Sequence, residues 1–353
     1  MTTPTIPTTM RAISLPAYGG PEVLVVAADH PVPKPKPNQV LVRVIAAAVN
    51  AADWHIMRGD PKAARLAFGL TRPSPGTVLG NDFAGTIVAV GEKVKDWSIG
   101  DSVWGAVTPG AYAEYVAVPE TDIARVPKGW TYAEAATLST AGITAVGAVR
   151  DNAQVKDGDH VLVNGASSGV GMFAVQIAKA FGAARVVGVC SGKNAAMVSG
   201  LGADSIIDYT QESCVAVPAQ KPADWKPYDS VVDIIGNHPY AKYRPLLASK
   251  GKWVSVGGPG GGLLGHTSTA LGNMLGSTFS SQKAVMCTGF TNQKDTLFLE
   301  KLANEGKIRT VIQKRYPLDQ TPEAIKVLET GRIAGKIVIE VDKARVDEKP
   351  YPA

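Results

Sequence analysis

The residues best placed to do chemistry lie between His160 and Gly182. A strand-length run, His160-Val161-Leu162-Val163-Asn164, meets a turn of small residues, Gly165-Ala166-Ser167-Ser168-Gly169-Val170-Gly171. A helix-length segment, Met172 to Phe181, follows, with Val170, Phe173, Ala174, Ile177 and Ala178 at helical spacing and Gly182 as its stop. A helix N-terminus presents unpaired N–H groups and a partial positive charge. Small residues let a pyrophosphate approach that backbone closely. The Gly-x-Gly-x-x-Gly pattern is only partly kept: Ala166 and Ser168 replace its first two glycines, and Gly171 remains. The strand before the turn and the helix after it favour a dinucleotide site. The competing reading is a turn that merely packs helix on sheet.

The phosphate state of the dinucleotide is also legible. NAD binders place Asp or Glu on the ribose near the end of the second strand. Here no acidic residue lies between Asp159 and Asp204. The second run, Val186 to Val189, leads instead into Cys190-Ser191-Gly192-Lys193-Asn194. A hydroxyl and an ammonium at that point suit a 2′-phosphate, so NADPH is the expected cofactor. Lys193 taken alone reads equally as a solvated surface lysine.

The elements that must position this turn divide the chain in two. Before residue 131, short β-prone runs alternate with Gly and Pro turns: Met10 to Leu15, Val23 to Val26, Val40 to Val49, Gly76 to Val90, Val94 to Val107 and Ala111 to Val118. That pattern predicts a compact β-rich barrel. Tyr132 to Ala148 is Ala-rich and predicts a helix. Strands expected at Ser205–Ile207, Ser230–Ile235 and Trp253–Val256 then alternate with helices, so the class is α/β with a parallel sheet. Gly257-Gly258-Pro259-Gly260-Gly261-Gly262 follows a strand end and reads as a cofactor-facing loop. From Arg309 short strands return, Val311 to Tyr316 and Lys336 to Val341, around a helix at Thr321–Thr330.

The totals exclude several classes. The 353 residues carry a net charge of +5 with no long run of Lys or Arg, which argues against a nucleic-acid or membrane patch. No apolar stretch approaches the roughly 20 residues of a membrane span. Three scattered cysteines, Cys190, Cys214 and Cys287, fit a reducing compartment. Met1 to Thr9 reads as a short flexible extension with no targeting character, so a cytoplasmic location is expected.

Taken together, Asn50-Ala51-Ala52-Asp53, Leu79-Gly80-Asn81-Asp82-Phe83-Ala84-Gly85, Gly100-Asp101, Ala113-Glu114-Tyr115, the Asn164–Gly171 turn, Gly202-Ala203-Asp204 with Asp208-Tyr209, and Gly335-Lys336 resemble the medium-chain dehydrogenase/reductase superfamily. Within it the chain is similar to the zinc-free quinone oxidoreductase group. The resemblance implies a Rossmann doubly wound parallel sheet inserted into a GroES-like β-barrel domain. The expected boundaries are 1–135 and 306–353 for the barrel and 136–305 for the Rossmann domain. It also implies a homodimer formed through the Rossmann sheets, with Lys283 to Thr288 as the candidate edge. Asn50 and Asn81 stand where the zinc-binding branch has Cys and His ligands, and no cysteine precedes residue 190. No metal is therefore expected.

Site residues follow from the same resemblance. Gly169, Val170 and Gly171, with Ser168 in the same turn, map to the pyrophosphate. Ser191, Lys193 and Tyr209 map to the 2′-phosphate. Thr144, Gly257, Gly258 and Asn292 are further cofactor candidates. NADPH supplies a hydride, and without a Lewis acid the accessible acceptors are quinones and the C=C bond of α,β-unsaturated carbonyls. Asn50 is the first candidate for orienting the substrate or the nicotinamide ribose, although Ala51 replaces a proline of the family element; it reads equally as a turn residue that bonds its own backbone. His55 is the candidate proton donor. Trp54, Phe68 and Trp104, with Tyr112, read either as walls of an apolar substrate pocket or as barrel core. Residues 62–75 read as a covering loop, and Asp53 as a structural partner for backbone or Arg58. Two other readings stay open: an enoyl thioester reductase of a polyketide or fatty-acyl pathway, and an NADPH-binding protein without turnover.

Overall fold

The computed structural model describes residues 5–216, 225–258, 267–287 and 292–352. Pro259 to Gly262 of the glycine run, and Thr288, lie outside them. The described residues form two compact units. One takes in Met1–Ile143, Thr291–Gly306 and Thr310–Ala353, and the other Thr144–Phe290 with Lys307–Arg309.

The first unit is built on the strand Gln39–Val49, whose 11 residues are almost all buried. It pairs antiparallel with Asp82–Val90, Tyr115–Pro119 and Lys336–Glu340. Ser102–Ala106, Ile123–Arg125 and Ile312–Pro317 complete a seven-stranded sheet. One apolar cluster fills this unit, with Ile13, Leu79, Phe83, Tyr112, Ile325 and Ile339 among its buried members. The returning strand pairs Ile337 with Val49, which brings Lys336 beside Asn50. A two-stranded ribbon, Thr9–Ser14 with Val25–Pro31, accompanies the sheet.

The central strand bends at two register shifts, one between Val44 and Ala46. Gly85 lies opposite Val44, and a Cβ there would sit 2.1 Å from the Arg43 carbonyl oxygen. Close backbone approach at a bulge therefore requires glycine at this position.

The second unit is an all-parallel sheet in the order Ser205–Asp208, Arg185–Cys190, His160–Asn164, Tyr228–Asp233, Leu247–Ser255, Lys283–Met286. Strand order reverses between His160–Asn164 and Tyr228–Asp233, the crevice where ligands of such sheets bind. Among the described residues, no helix is long and apolar enough to cross a membrane.

Two expectations need correction. The single helix expected over Tyr132 to Ala148 is broken into Tyr132–Ala135 and Ser139–Val146, then continues as a π-helix, Gly147–Ala153. The cause of the new start is Asp82, whose carboxylate takes the Thr140 N–H of the first turn at 3.1 Å. The strand expected at Ser230–Ile235 ends instead at Asp233. The Asp233 carboxylate accepts the Gly236 N–H at 2.9 Å and turns the chain there.

Gly85→Ala is expected to lower unfolding free energy by about 3 kcal/mol, because the Arg43 backbone and the Val42 side chain leave no room for the methyl group. Urea unfolding measures this, and a wild-type midpoint would contradict the assigned bulge.

Candidate active site

In the first unit, polar side chains meet at the end of the central strand. Asn50 leaves that strand and opens the helix Ala51–Arg58. Its N–H donates to Asp53 at 2.7 Å, and the Tyr112 hydroxyl donates to the same carboxylate oxygen at 2.6 Å. The Asn50 Nδ2 donates to the Asp82 carboxylate at 2.9 Å and to the Ala48 carbonyl at 3.2 Å. Lys336 Nζ donates to the Asn50 Oδ1 and, at 3.2 Å, to the Val49 carbonyl. Asp82 also accepts from Thr140 and lies 3.9 Å from Lys336. Asn50, Asp53, Asp82, Tyr112 and Lys336 are all buried.

Burial governs the electrostatics. It lowers the Lys336 pKa and raises that of Asp82, against their mutual attraction. One buried cation faces two carboxylates. The second, Asp53, is pushed up to about 7, mainly by desolvation and against the Tyr112 hydrogen bond.

This geometry redefines several sequence candidates. Both ends of the Asn50 amide are committed inside the unit, so Asn50 acts as a fixed junction and has no hydrogen left to orient a substrate. Asp53 pairs with backbone and Tyr112, and not with Arg58, which binds Glu329. His55 stacks on Trp54 with ring centroids 3.7 Å apart, and its Nδ1 lies 2.7 Å from the Asp60 carbonyl. A carbonyl only accepts, so Nδ1 carries a proton and Nε2 can give one up only as the imidazolium. Trp54 and Phe68 are half-buried against the apolar core. Trp104 and Tyr112 are fully buried core residues. Trp104 is committed within the unit, its Nε1 donating to the Arg125 carbonyl at 3.0 Å. Asn292 caps the helix Gln293–Asn304, accepting the Asp295 N–H at 3.0 Å.

In the second unit the glycine turn opens the helix Gly169–Ala180. Ser168 caps it, its Oγ accepting the Gly171 N–H at 3.1 Å. The N–H groups of Gly169 and Val170 have no protein partner among the described residues. A Cβ on Gly171 would lie 2.1 Å from the Gly165 carbonyl oxygen, so the helix packs against the turn as a dinucleotide cradle requires. Beneath the cradle, Asn164 donates to Asp233 at 2.8 Å, tying the two strand ends at the switch point. Gly257 lies against the Ile234 carbonyl, where a Cβ would come within 2.5 Å, and Gly258 follows it. Thr144 is half-buried near the start of this unit. These features fit a pyrophosphate approached through bare backbone.

The loop after the second strand is held from two sides. Asn194 Nδ2 reaches the Ser167 hydroxyl at 3.3 Å. Asp208, paired in register with Cys190, lies against Gly192, where a Cβ would sit 2.5 Å from its Oδ2. The Thr210 N–H and hydroxyl and the Gly192 N–H hold the Asp208 carboxyl below its usual range. The loop therefore has a carboxylate neighbour after all, supplied by the adjacent strand. Ser191 is buried, whereas Lys193 and Tyr209 are exposed. Among the described residues no three His, Cys, Asp or Glu side chains converge as metal ligands.

Asp53 sets a pH dependence. Its folded pKa of about 7 exceeds the ordinary 3.8, so the folded protein keeps a proton that the unfolded chain releases. The stabilisation is complete below the ordinary value and is lost as pH rises through about 7. Asp53→Asn is expected to flatten the fall in Tm between about pH 5 and about pH 8. Thermal unfolding across that range checks it, and equal slopes in both proteins would refute it.

Comparison with known proteins places this architecture. Residues 36–128 match the alcohol dehydrogenase GroES-like domain, and residues 201–339 match the zinc-binding dehydrogenase domain. The chain is 31% identical over 339 residues to the chloroplast envelope quinone oxidoreductase homolog of Arabidopsis thaliana, covering 94% of this chain and 98% of that protein. It is 34% identical to the 2-methylene-furan-3-one reductase of Solanum lycopersicum, covering 95% and 80%. The structure of the quinone oxidoreductase from Coxiella burnetii superposes with a TM-score of 0.81 at 32% identity, covering 94% of this chain and 99% of that one. The fold is thus a GroES-like domain with a Rossmann-type parallel sheet, and the chain belongs to the medium-chain dehydrogenase/reductase family of oxidoreductases.

Proposed function

We propose that the protein is an NADPH-dependent, zinc-independent reductase of quinones or of the C=C bond of α,β-unsaturated carbonyls. The observation that carries this reading is near-full-length similarity to proteins named for quinone, furanone and alkenal/one reduction, joined to a cradle that fits a dinucleotide. NADPH, when bound, supplies the hydride. The free N–H groups of Gly169 and Val170 and the helix dipole bind its pyrophosphate. Lys193, Ser191 and Tyr209 surround the loop expected to meet the 2′-phosphate, and Asp208 and Asn194 fix that loop. Trp54 and Phe68 offer apolar surface to a substrate. Solvent or the His55 imidazolium supplies the final proton.

We also propose a homodimer through the sheet edge Lys283–Met286. Beside that edge, Leu271, Leu275 and Phe279 are exposed at 42%, 75% and 102% with a spacing of four residues. The Ala284 N–H donates to Ser277 at 3.0 Å, so this apolar stripe adjoins the open strand. An unpaired edge flanked by exposed apolar side chains suits a second copy. Phe279→Asp should shift the mass in solution from dimer to monomer by light scattering. A wild-type monomer would refute the assignment.

Turnover of NADPH with a panel of quinones and alkyl enones, in the presence of chelator, tests the function. Lys193→Ala is expected to weaken NADPH binding roughly tenfold to hundredfold while leaving NADH nearly unchanged, the loss of one charge-assisted phosphate contact. Equal losses for both cofactors would refute the phosphate assignment. Inhibition by chelator would refute zinc independence.

A further inference from the structure

On the cofactor side, the glycine turn and the loop after the second strand meet in one side-chain contact. The Gly165 and Ala166 N–H groups both donate to the Val189 carbonyl, at 3.2 and 3.0 Å, so backbone bonds seat the turn on the end of that strand. Beyond Val189 the chain folds back, and the Asn194 N–H donates to the Ser191 carbonyl at 2.8 Å. This tight loop returns the Asn194 carboxamide to the turn, where its Nδ2 donates to the Ser167 hydroxyl at 3.3 Å. Both side chains are half-buried, and both belong to the second unit.

The direction of that bond has a chemical consequence. A serine hydroxyl offers one donor and two acceptor lone pairs, whereas an amide nitrogen only donates. Asn194 therefore occupies a lone pair of Ser167 and leaves its proton unused. Among the described residues no group accepts the Ser167 hydroxyl proton, and none accepts the Ser167 N–H. Ser167 thus adds two free donors to the bare N–H groups of Gly169 and Val170. Donors grouped at a helix N-terminus suit an anion. A hydroxyl that gave its proton to a neighbour would instead turn a lone pair on that anion.

We infer that Ser167 donates its hydroxyl proton to a pyrophosphate oxygen of the dinucleotide, and that Asn194 is the positioning residue that keeps this proton available. The inference rests on the reductase reading above and adds two residues to its cofactor site. Through Asn194, the loop expected to meet the 2′-phosphate sets the polarity of the turn that meets the pyrophosphate. Asp208 holds the same loop from the other side, against Gly192, so the loop keeps its place when the tie to Ser167 is cut.

Equilibrium binding to the full-length protein tests this with two probes. ADP-ribose carries the pyrophosphate without a 2′-phosphate, and adenosine 2′-monophosphate carries the 2′-phosphate without a pyrophosphate. Ser167→Ala is expected to raise the Kd for ADP-ribose about tenfold, the loss of one charge-assisted hydrogen bond, and to leave that for adenosine 2′-monophosphate within about twofold. Asn194→Asp exchanges the donor for an acceptor that draws the Ser167 proton to itself, and should weaken ADP-ribose at least as much. Asn194→Ala should weaken ADP-ribose while Ser167 is present and add nothing to Ser167→Ala, because it acts only through that hydroxyl. Unchanged ADP-ribose binding in Ser167→Ala would overturn the assignment. Equal losses for the two probes would also overturn it, since the contact would then merely pin the loop. Additive losses in the double variant would remove Asn194 from its role. The expected binding pattern without NADPH turnover on any quinone or enone would reject the reductase reading and leave Ser167 and Asn194 in place. A wild type that binds neither probe would reject both.

Discussion

Among the described residues Lys336 is the one cation sealed into the first unit, beside Asp53 and Asp82, and the site in that unit depends on how this imbalance is resolved. A buried ammonium is tolerated only with partners that replace water. Lys336 finds them in Asp82, in the Asn50 amide and in the Val49 carbonyl. Those contacts join a returning strand, the end of the central strand and the start of Asp82–Val90. Asp53 beside them is pushed up to about 7, mainly by its own burial. Through Asp82 the same network also caps the helix beginning at Ser139.

The cofactor side solves a different problem with neutral groups. A pyrophosphate needs bare backbone, and bare backbone needs small residues held in one shape. Ser168 caps its helix, Gly171 allows the helix to touch the turn, and Asn164 binds Asp233 beneath them. The imperfect fingerprint is thereby explained. Ser168 replaces a glycine but contributes a hydroxyl that closes the first turn. Ser167 replaces nothing essential and becomes the anchor for Asn194.

Much of this was legible in the residues. The strand, the turn and the helix followed from hydrophobic spacing, and the parallel sheet from alternation. Individual roles were harder wherever they depended on strands far apart in sequence. Gly335-Lys336 was visible as a motif, but only the pairing of Ile337 with Val49 shows that it reaches Asn50. The junction role of Asn50 was hidden because its three amide partners lie 2, 32 and 286 residues away. Asp208 was overlooked for the same reason: the absence of acid along one segment says nothing about the neighbouring strand. Trp104 could be wall or core by type alone, and only its complete burial in the folded unit settles it.

The closing strand Lys336–Glu340 also gives the chain an order of assembly. The parallel sheet is nearly continuous in sequence, from His160 to Met286, so a nascent chain holds all of its strands before residue 336 is made. The barrel unit has strands made before that sheet and strands made after it. Until the final strand arrives, the central strand has an open edge at Ala46 to Val49, and Asp82 faces an apolar interior without its counter-ion. The half-built unit thus carries both an unpaired strand and an uncompensated charge during synthesis. Strands made before the parallel sheet are completed by one made after it, and the lysine that completes their charge arrives on the strand that closes their edge.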